Sequence, residues 1–335
     1  MRRKHRFERR HGPRPGRRVV KVVVLKGGRS LERTVSLKSG ARVEDALERL
    51  GHEVVGIDPG ADLVDRLEAE RPDVAFVAMH GREGEDGTVQ ELLELVGVPY
   101  TASAPSACIR CADKVLAKHL MRDAGVPTPD FYAFNETAFR ELGAARALPA
   151  IEERLAFPIV VKPAAGGSAL GIKFAADAQA VPHALVAAFS YDTKVLLEAF
   201  IHGRELAVSV LDGPEGPQAL PIVEAIPRDG ALYDFEARYE IGRTDFACPA
   251  DLDDALSRRA QALAVQVYSL FGCYGFARVD LMLDEATDAL FVLEVNAIPG
   301  LTETSLLPQA AEAAGIGFDQ LVARVLELAG DRRPA

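Results

Sequence analysis

The sequence predicts a parallel α/β unit followed by an α+β region, and two observations carry that reading. In roughly the first hundred residues, apolar strand-like runs alternate with segments of helical spacing, the pattern of a parallel sheet wrapped by helices. From about Gly203 the alternation gives way to a series of antiparallel strand candidates, with helices interleaved or following.

In order, VKVVVLKGG (Val20 to Gly28) reads as a buried strand ending in a glycine turn. SLERTVSLKSGARVEDALERLG follows with helical spacing and a glycine stop at Gly51. HEVVGID and DVAFVAMHG are two further apolar strands, and GTVQELLELVG and SACIRCADKVLAKHLMRDAG read as helices. A second unit starts near Asp113. It holds FPIVVKPAAGGSALGIKFA, a helix around Ala178 to Phe189, and the strand TKVLLEAFI. RELAVSVLDG, ALPIVEAIP, FARVDLMLD and ALFVLEVNA are then antiparallel strands, accompanied by the helices DALSRRAQALAVQVYSLFG and GFDQLVARVLELAG. The chain divides on this reading into a tail (1–18) and units 19–112, 113–202 and 203–333.

The tail is compositionally distinct. Ten of the 39 Lys/Arg of the chain lie in its first 21 residues, beside one of the 49 Asp/Glu. With its Pro and Gly it reads as disordered, and it lacks the apolar core of a secretory signal. The remainder is strongly acidic, which argues against a nucleic-acid-binding body. No apolar run approaches the ~20 residues of a membrane helix, so a cytoplasmic protein with reduced thiols is expected. Cys108 and Cys111 form a C-x-x-C without a second pair at zinc-finger spacing, and read as packing residues of a helix.

Three stretches carry chemistry. In VLEVNAIPG, Glu294 and Asn296 stand two apart on a strand that breaks at Pro-Gly, so they share a face. If FARVDLMLD and ALFVLEVNA form a hairpin across DEAT, Asp280 joins them. Two carboxylates and an amide oxygen suit Mg²⁺, which takes a few protein oxygens and leaves room for phosphate. The bland alternative is a solvated sheet edge, but the flanks are apolar and a buried acid needs a partner. In VVKPAAGGSALG, Lys162 ends a strand and the Gly166-Gly167-Ser168 turn can bring backbone N–H groups to an anion. It has no Walker A sequence; the alternatives are a phosphate lid and a plain turn. In VLLEAFIHGRELAV, Glu198 and Glu205 flank Phe200-Ile201, a segment suited to pairing its backbone with an adenine edge while an acid takes the ribose hydroxyls.

Taken in order, VLKGGRSLERTVSLKSG, MHGREGEDGTVQELLELVGVPYTAS, DKVLAKHLMRDAGVPTP, VVKPAAGGSALG, LYDFEARY, CPADL, GFARVDLML and EVNAIPGLTETSLLPQAA resemble the D-alanine–D-alanine ligase family of the ATP-grasp superfamily. The resemblance covers almost the whole chain after the tail. It implies a three-domain ATP-grasp fold with an N-terminal parallel α/β (pre-ATP-grasp) domain, and ATP bound between the second and third domains. It implies that Lys114 and Lys162 hold the phosphates, that Glu198, Phe200 and Ile201 form the adenine hinge, and that Glu205 takes the ribose. Asp280, Glu294 and Asn296 match the ligands of two Mg²⁺ ions, with Mn²⁺ as a substitute.

The activity implied is ligation of two D-alanines through a D-alanyl phosphate, for peptidoglycan precursor synthesis, by a cytoplasmic homodimer. Glu32 matches the acid that takes the first ammonium, His80 a histidine near that substrate, and Ser305 and Leu306 the second-substrate pocket. Arg278 and the Gly300 N–H match the groups that steady the tetrahedral intermediate. Glu32, Ser168 and Tyr239 match a hydrogen-bonded set that closes lid and loop over the site. The lid reads Gly166-Gly167-Ser168-Ala169 where the family usually has Glu-Gly-Ser-Ser, and Arg238 stands where Lys is usual. A sister ligase with another second substrate, and an ATP-binding module without catalysis, are the alternatives.

Deleting residues 1 to 18 is expected to leave ligase activity near that of the full chain. A loss in catalytic efficiency beyond about tenfold, roughly 1.4 kcal/mol at the transition state, shows instead that the tail belongs to the working enzyme.

Overall fold

The structure, a computed structural model, describes residues 19–143, 146, 148–228 and 244–331. Tyr239 and the loop that carries it lie outside the described residues.

The first unit is built on a parallel sheet of β1 (Lys21–Leu25), β2 (Glu53–Ile57) and β3 (Val74–Val77), in the order β2-β1-β3. Val22 to Leu25 and Val74 to Val77 are all buried, as strands covered on both faces must be. Helix α1 (Arg33–Arg49) turns Val35, Ser39, Val43, Ala46 and Leu47 inward at helical spacing. Helix α2 (Leu63–Glu70), between β2 and β3, is absent from the sequence reading: it buries only Leu63 and Leu67, too thin an apolar stripe to stand out. After α3 (Thr88–Val96) the long helical stretch divides into α4 (Pro105–Ala112) and α5 (Lys114–Asp123). Asp113 is the cause. Its backbone is extended, and its carboxylate accepts from the N–H groups of Val115 and Leu116, capping α5.

The central unit is a four-stranded antiparallel sheet, β4-β7-β5-β6, of β4 (Phe131–Asn135), β5 (Ile159–Pro163), β6 (Lys173–Ala175) and β7 (Lys194–Ala199). Helices α6 (Glu136–Arg140), α7 (Leu148–Arg154) and α8 (Val181–Phe189) accompany it. Its core, around Ile159, Val161, Leu185, Val195 and Leu197, is separate from the main one.

The third unit pairs β11 (Thr244–Ala247), β10 (Val223–Pro227), β8 (Gly203–Gly213), β12 (Phe276–Asp284) and β13 (Leu290–Asn296) in that order, with β9 (Gly216–Ala219) on β8; the pairing is antiparallel throughout. Helices α9 (Asp254–Phe271), α10 (Leu306–Ala313) and α11 (Phe318–Asp331) complete it. Its core is continuous with that of the first unit. Polar ties reinforce the fusion: Arg42 donates to the carbonyls of Leu301 and Thr302, and Arg49 meets Asp319 with two hydrogen bonds. The central unit is joined to this body through α5 and the connector after it, where Val292 N–H donates to Pro127 O and Thr128 Oγ1 donates to Val292 O. The fold thus sets one separate core against a fused pair.

Candidate active site

The hairpin of β12 and β13 forms as its sequence suggests. Asp280 stands opposite Glu294 and Arg278 opposite Asn296, so all four side chains share one face. Between them Val279, Leu281, Val292 and Val295 bury the other face. On β8, Ser209, Ala207 and Glu205 lie opposite Arg278, Asp280 and Met282, which brings Glu205 to the same face. Arg278 grips Asp280 with two hydrogen bonds, Nε to Oδ1 at 2.6 Å and Nη2 to Oδ2 at 2.8 Å. Asn296 Nδ2 donates to Asp280 Oδ2 at 3.0 Å, and Lys114 Nζ sits 3.2 Å from Glu294 Oε2. Among the described residues no three His, Cys, Asp or Glu side chains converge as metal ligands. The donor set here is two carboxylates and the Asn296 amide oxygen. That set fits a hard cation that draws its remaining ligands from phosphate and water.

The loop after β5 lies over this face. Lys114 Nζ donates to Gly166 O at 2.6 Å, so one lysine holds both the loop and Glu294. Ser168 Oγ donates to Glu32 Oε1, joining the central unit to the residue that precedes α1. Ser168 and Ala169 both adopt left-handed backbone, at φ +56° and +58°, a conformation with a real cost for side-chain-bearing residues. A Cβ on Gly167 would come within 3.0 Å of both Glu32 oxygens, so a glycine there lets the loop settle on the acid. Glu32 is buried, and its carboxyl is pushed up to about 7. Burial is the main cause and the charge of Glu85 the second; the Ser168 hydrogen bond, His80 and Lys114 pull the other way.

His80 is buried beside this pair. Its Nε2 meets Ser39 Oγ at 2.9 Å, and its Nδ1 lies 3.2 Å from Ile298 O and 3.3 Å from Glu85 Oε1. Ser39 Oγ also accepts from the N–H of Leu301. The segment carrying Gly300 is thereby strung between α1 and His80. Ser305 Oγ accepts from Thr302 N–H at 3.0 Å at the start of α10, and Leu306 is buried behind it. Glu32, His80, Ser168, Arg278, Gly300 and Ser305 surround a polar cavity of about 50 Å³. A second cavity of about 280 Å³ adjoins it, sharing Glu32, Glu85, Gly167 and Asn296 and reaching Lys114, Gly166 and Glu294.

Lys162 and Glu198 line neither of these two cavities; Lys162 Nζ donates to Glu198 Oε1 at 2.7 Å, and both are buried. Phe200 and Ile201 follow β7, with Phe200 packed edge-on between Phe174 and His202. Glu198 has a different setting from the one its hinge position suggests: its carboxylate lies between two lysines, Lys162 and Lys118. Burial alone would raise its pKa, but the two lysines win and hold it below the usual range. Lys118 and Glu85 are polar residues of the site that the sequence reading does not single out. Lys118 stands four residues after Lys114, on the same face of α5. Glu85 lies within the acid-rich MHGREGEDG loop.

The raised Glu32 carboxyl has a consequence for stability. Between about pH 4.5 and 7 the native state holds a proton there that the unfolded chain has released, so this contribution, on the order of 3 kcal/mol, is fully present below about pH 4.5 and lost as pH rises to about 7. Denaturant melts of the ligand-free protein are expected to show stability falling from pH 5 to pH 8, and Glu32→Gln to flatten that fall. A variant with the same slope as the native protein assigns the proton elsewhere.

Comparison with known proteins agrees with this arrangement. Residues 58–103 match the family described as D-ala D-ala ligase N-terminus, and residues 120–327 that described as D-ala D-ala ligase C-terminus. The D-alanine--D-alanine ligase of Syntrophotalea carbinolica is 45% identical over 93% of this chain and 97% of its own, and that of Moorella thermoacetica 41% over 92% and 99%. The crystal structure of the Bacillus anthracis D-alanine--D-alanine ligase complexed with ATP superposes with a TM-score of 0.77 at 31% identity, over 93% of this chain and 97% of that one. The VanG D-Ala:D-Ser ligase of Enterococcus faecalis superposes with the same TM-score at 27% identity, over 93% and 100%. With two family matches in order along the cleft-forming units and relatives of this identity over nearly its full length, the chain belongs to the D-alanine–D-alanine ligase family and has its ATP-grasp fold.

Proposed function

We propose that this protein joins two molecules of D-alanine into D-alanyl-D-alanine, spending ATP and passing through D-alanyl phosphate. The observation that carries the reading is the small polar cavity where Glu32, His80, Ser168, Arg278, Gly300 and Ser305 meet at the end of the metal-competent hairpin. A carboxylate is a poor acyl donor because oxide would have to leave. Its oxygen therefore first attacks the terminal phosphorus of ATP, releasing ADP. The amine of the second amino acid then attacks the carbonyl carbon of the acylphosphate, and phosphate leaves in place of oxide.

Each residue has a role in that sequence. Ionised Glu32 pairs with the ammonium of the first D-alanine, beside His80. Lys114 and Lys162 neutralise the phosphates of ATP, whose adenine rests against Phe200 and Ile201 and whose ribose meets Glu205. Asp280, Glu294 and Asn296 hold Mg²⁺, as two ions with Mn²⁺ as a substitute; bound there, it offsets charge on the phosphoryl oxygens. Arg278 and the Gly300 N–H face the oxygen that becomes negative when the amine adds, the kind of fixed stabilisation that usually contributes most. Ser305 and Leu306 receive the second D-alanine. Ser168 on Glu32, with Tyr239 from the loop above, closes the site and keeps water from the acylphosphate. The unit boundaries at 112/113 and 202/203, a homodimer, a cytoplasmic setting and the supply of peptidoglycan precursor belong to the same proposal.

The likeness to a D-Ala:D-Ser ligase supports a second acceptor as the competing reading. With D-alanine as donor and D-alanine, D-serine and D-lactate at equal concentration at pH 7.5, mass spectrometry is expected to find mostly D-alanyl-D-alanine. A predominance of the mixed dipeptide or the depsipeptide overturns the acceptor assignment. Yield of D-alanyl-D-alanine is expected to rise with pH, because the attacking amine must lose its proton.

Glu294→Gln removes one charge from the hairpin cluster without changing its shape. Turnover at saturating Mg²⁺ is expected to fall well beyond tenfold with the fold intact. Activity above about a tenth of the native rate, a loss under ~1.4 kcal/mol, removes Glu294 from the metal site.

A further inference from the structure

We propose that Lys118 is a positioning residue for the nucleotide: it balances Glu198 so that Lys162 can turn its charge to the phosphates of ATP. The inference rests on the ATP-dependent reading above and adds a residue to which that reading assigns no part.

Lys118 is fully buried on α5. Its Nζ donates to Thr128 Oγ1 at 2.6 Å and to Pro129 O at 3.1 Å, and lies 2.5 Å from Glu198 Oε2. That last contact is a buried ion pair. On the other side of the carboxylate, Lys162 donates to Oε1. The group is therefore two buried ammoniums around one buried carboxylate, with one positive charge in excess. An unbalanced buried charge is costly and favours an anion nearby. Of the two lysines, Lys118 is anchored by three oxygens of the connector and β7, whereas Lys162 has Glu198 as its hydrogen-bond acceptor. Lys162 is thus the one whose charge is free to be shared with a phosphate, provided Lys118 keeps Glu198 neutralised.

Thr128 extends the arrangement, because its hydroxyl passes a hydrogen bond on to Val292 O of β13. Lys118 thereby ties the nucleotide wall of the cleft to the strand that carries Glu294 and Asn296. The groups facing it are Glu198 on β7, Lys162 on β5, Arg122 on its own helix, and the ring of Phe131 on β4, 5.3 Å away. Burial pushes its ammonium down to about 8; Glu198 opposes the fall, and Lys162 and Arg122 add to it. The charge on which Lys162 depends is therefore present at pH 7 and lost as pH rises past about 8.

The test uses the full chain, with the affinity of a magnesium-loaded, non-hydrolysable ATP analogue measured by calorimetry beside steady-state kinetics. Lys118→Met is expected to weaken analogue binding and raise the KM for ATP about tenfold, with kcat at saturating ATP within about threefold. Lys118→Arg, permanently charged, is expected to restore affinity. In the native protein, affinity is expected to fall between pH 7 and 9.5, and in Lys118→Arg to stay level. A folded Lys118→Met with native affinity overturns the proposal, and so does a Lys118→Arg variant that keeps the native pH dependence. Should Lys118→Met fail to fold, the pH comparison with Lys118→Arg decides alone. A native protein that binds the analogue but makes no dipeptide overturns the ligase reading and leaves this comparison standing.

Discussion

Charge buried away from water has to be matched, and in this chain the matching brings the three units to one place. Glu32 of the first unit takes its hydrogen bond from Ser168 of the second. Glu294 of the third is matched by Lys114 on α5, which at the same time holds the Gly166 carbonyl. Glu198 of the second is matched by Lys162 from its own sheet and by Lys118 from α5. Apolar packing reaches the main core only through α5 and the segment after it (Ala117, Met121, Val126), and the central sheet has a core of its own. The cleft is held by polar contacts, each dependent on protonation and each open to exchange for a substrate group. That is a suitable construction for a site that must admit a nucleotide and two amino acids and then close.

Much of this was legible in the residues. The alternation in FARVDLMLD and ALFVLEVNA, with a polar turn between, is a hairpin signal that does not depend on tertiary context, and it places Asp280, Glu294 and Asn296 on one face. The N-terminal parallel sheet was equally plain, since β1 and β3 are unbroken apolar runs. What escaped was decided by packing. Helix α2 buries two leucines and otherwise resembles a polar loop. The break at Asp113 depends on a cap, and an aspartate in a helical stretch looks like any other surface acid.

Lys118 is the most instructive omission. A lysine on a helix ordinarily reads as a solvated side chain whose stem alone is covered. Its burial follows from the connector after α5 and from β7 closing over it, contacts between residues about ten and eighty positions apart. Glu198 shows the complementary limit: a period-2 pattern cannot say that its carboxylate lies between two lysines. Motif position tells which strand end a residue occupies. Which neighbour neutralises it depends on the approach of elements distant in sequence.

The cores of the first and third units are fused and that of the central sheet is separate, with α5 packed against both: Ala117 and Met121 lie in the fused core, and Val115 packs with Phe131, Ala164 and Leu196 of the central unit. The loop after β5 is held over the cleft by Ser168 on Glu32 and by Lys114 on the Gly166 carbonyl. Glu32 in the ligand-free cleft binds its proton with a pKa of about 7 because burial and Glu85 both penalise its charge. On the proposal that Glu32 takes the ammonium of the first D-alanine, that ammonium would supply the positive partner and favour the ionised form, so binding near neutral pH would release a proton. The ionised carboxylate is also the stronger acceptor for the Ser168 hydroxyl. On that proposal the charge of the first substrate would strengthen the hold on the loop that carries Ser168, with an amino acid beneath it to be protected from water.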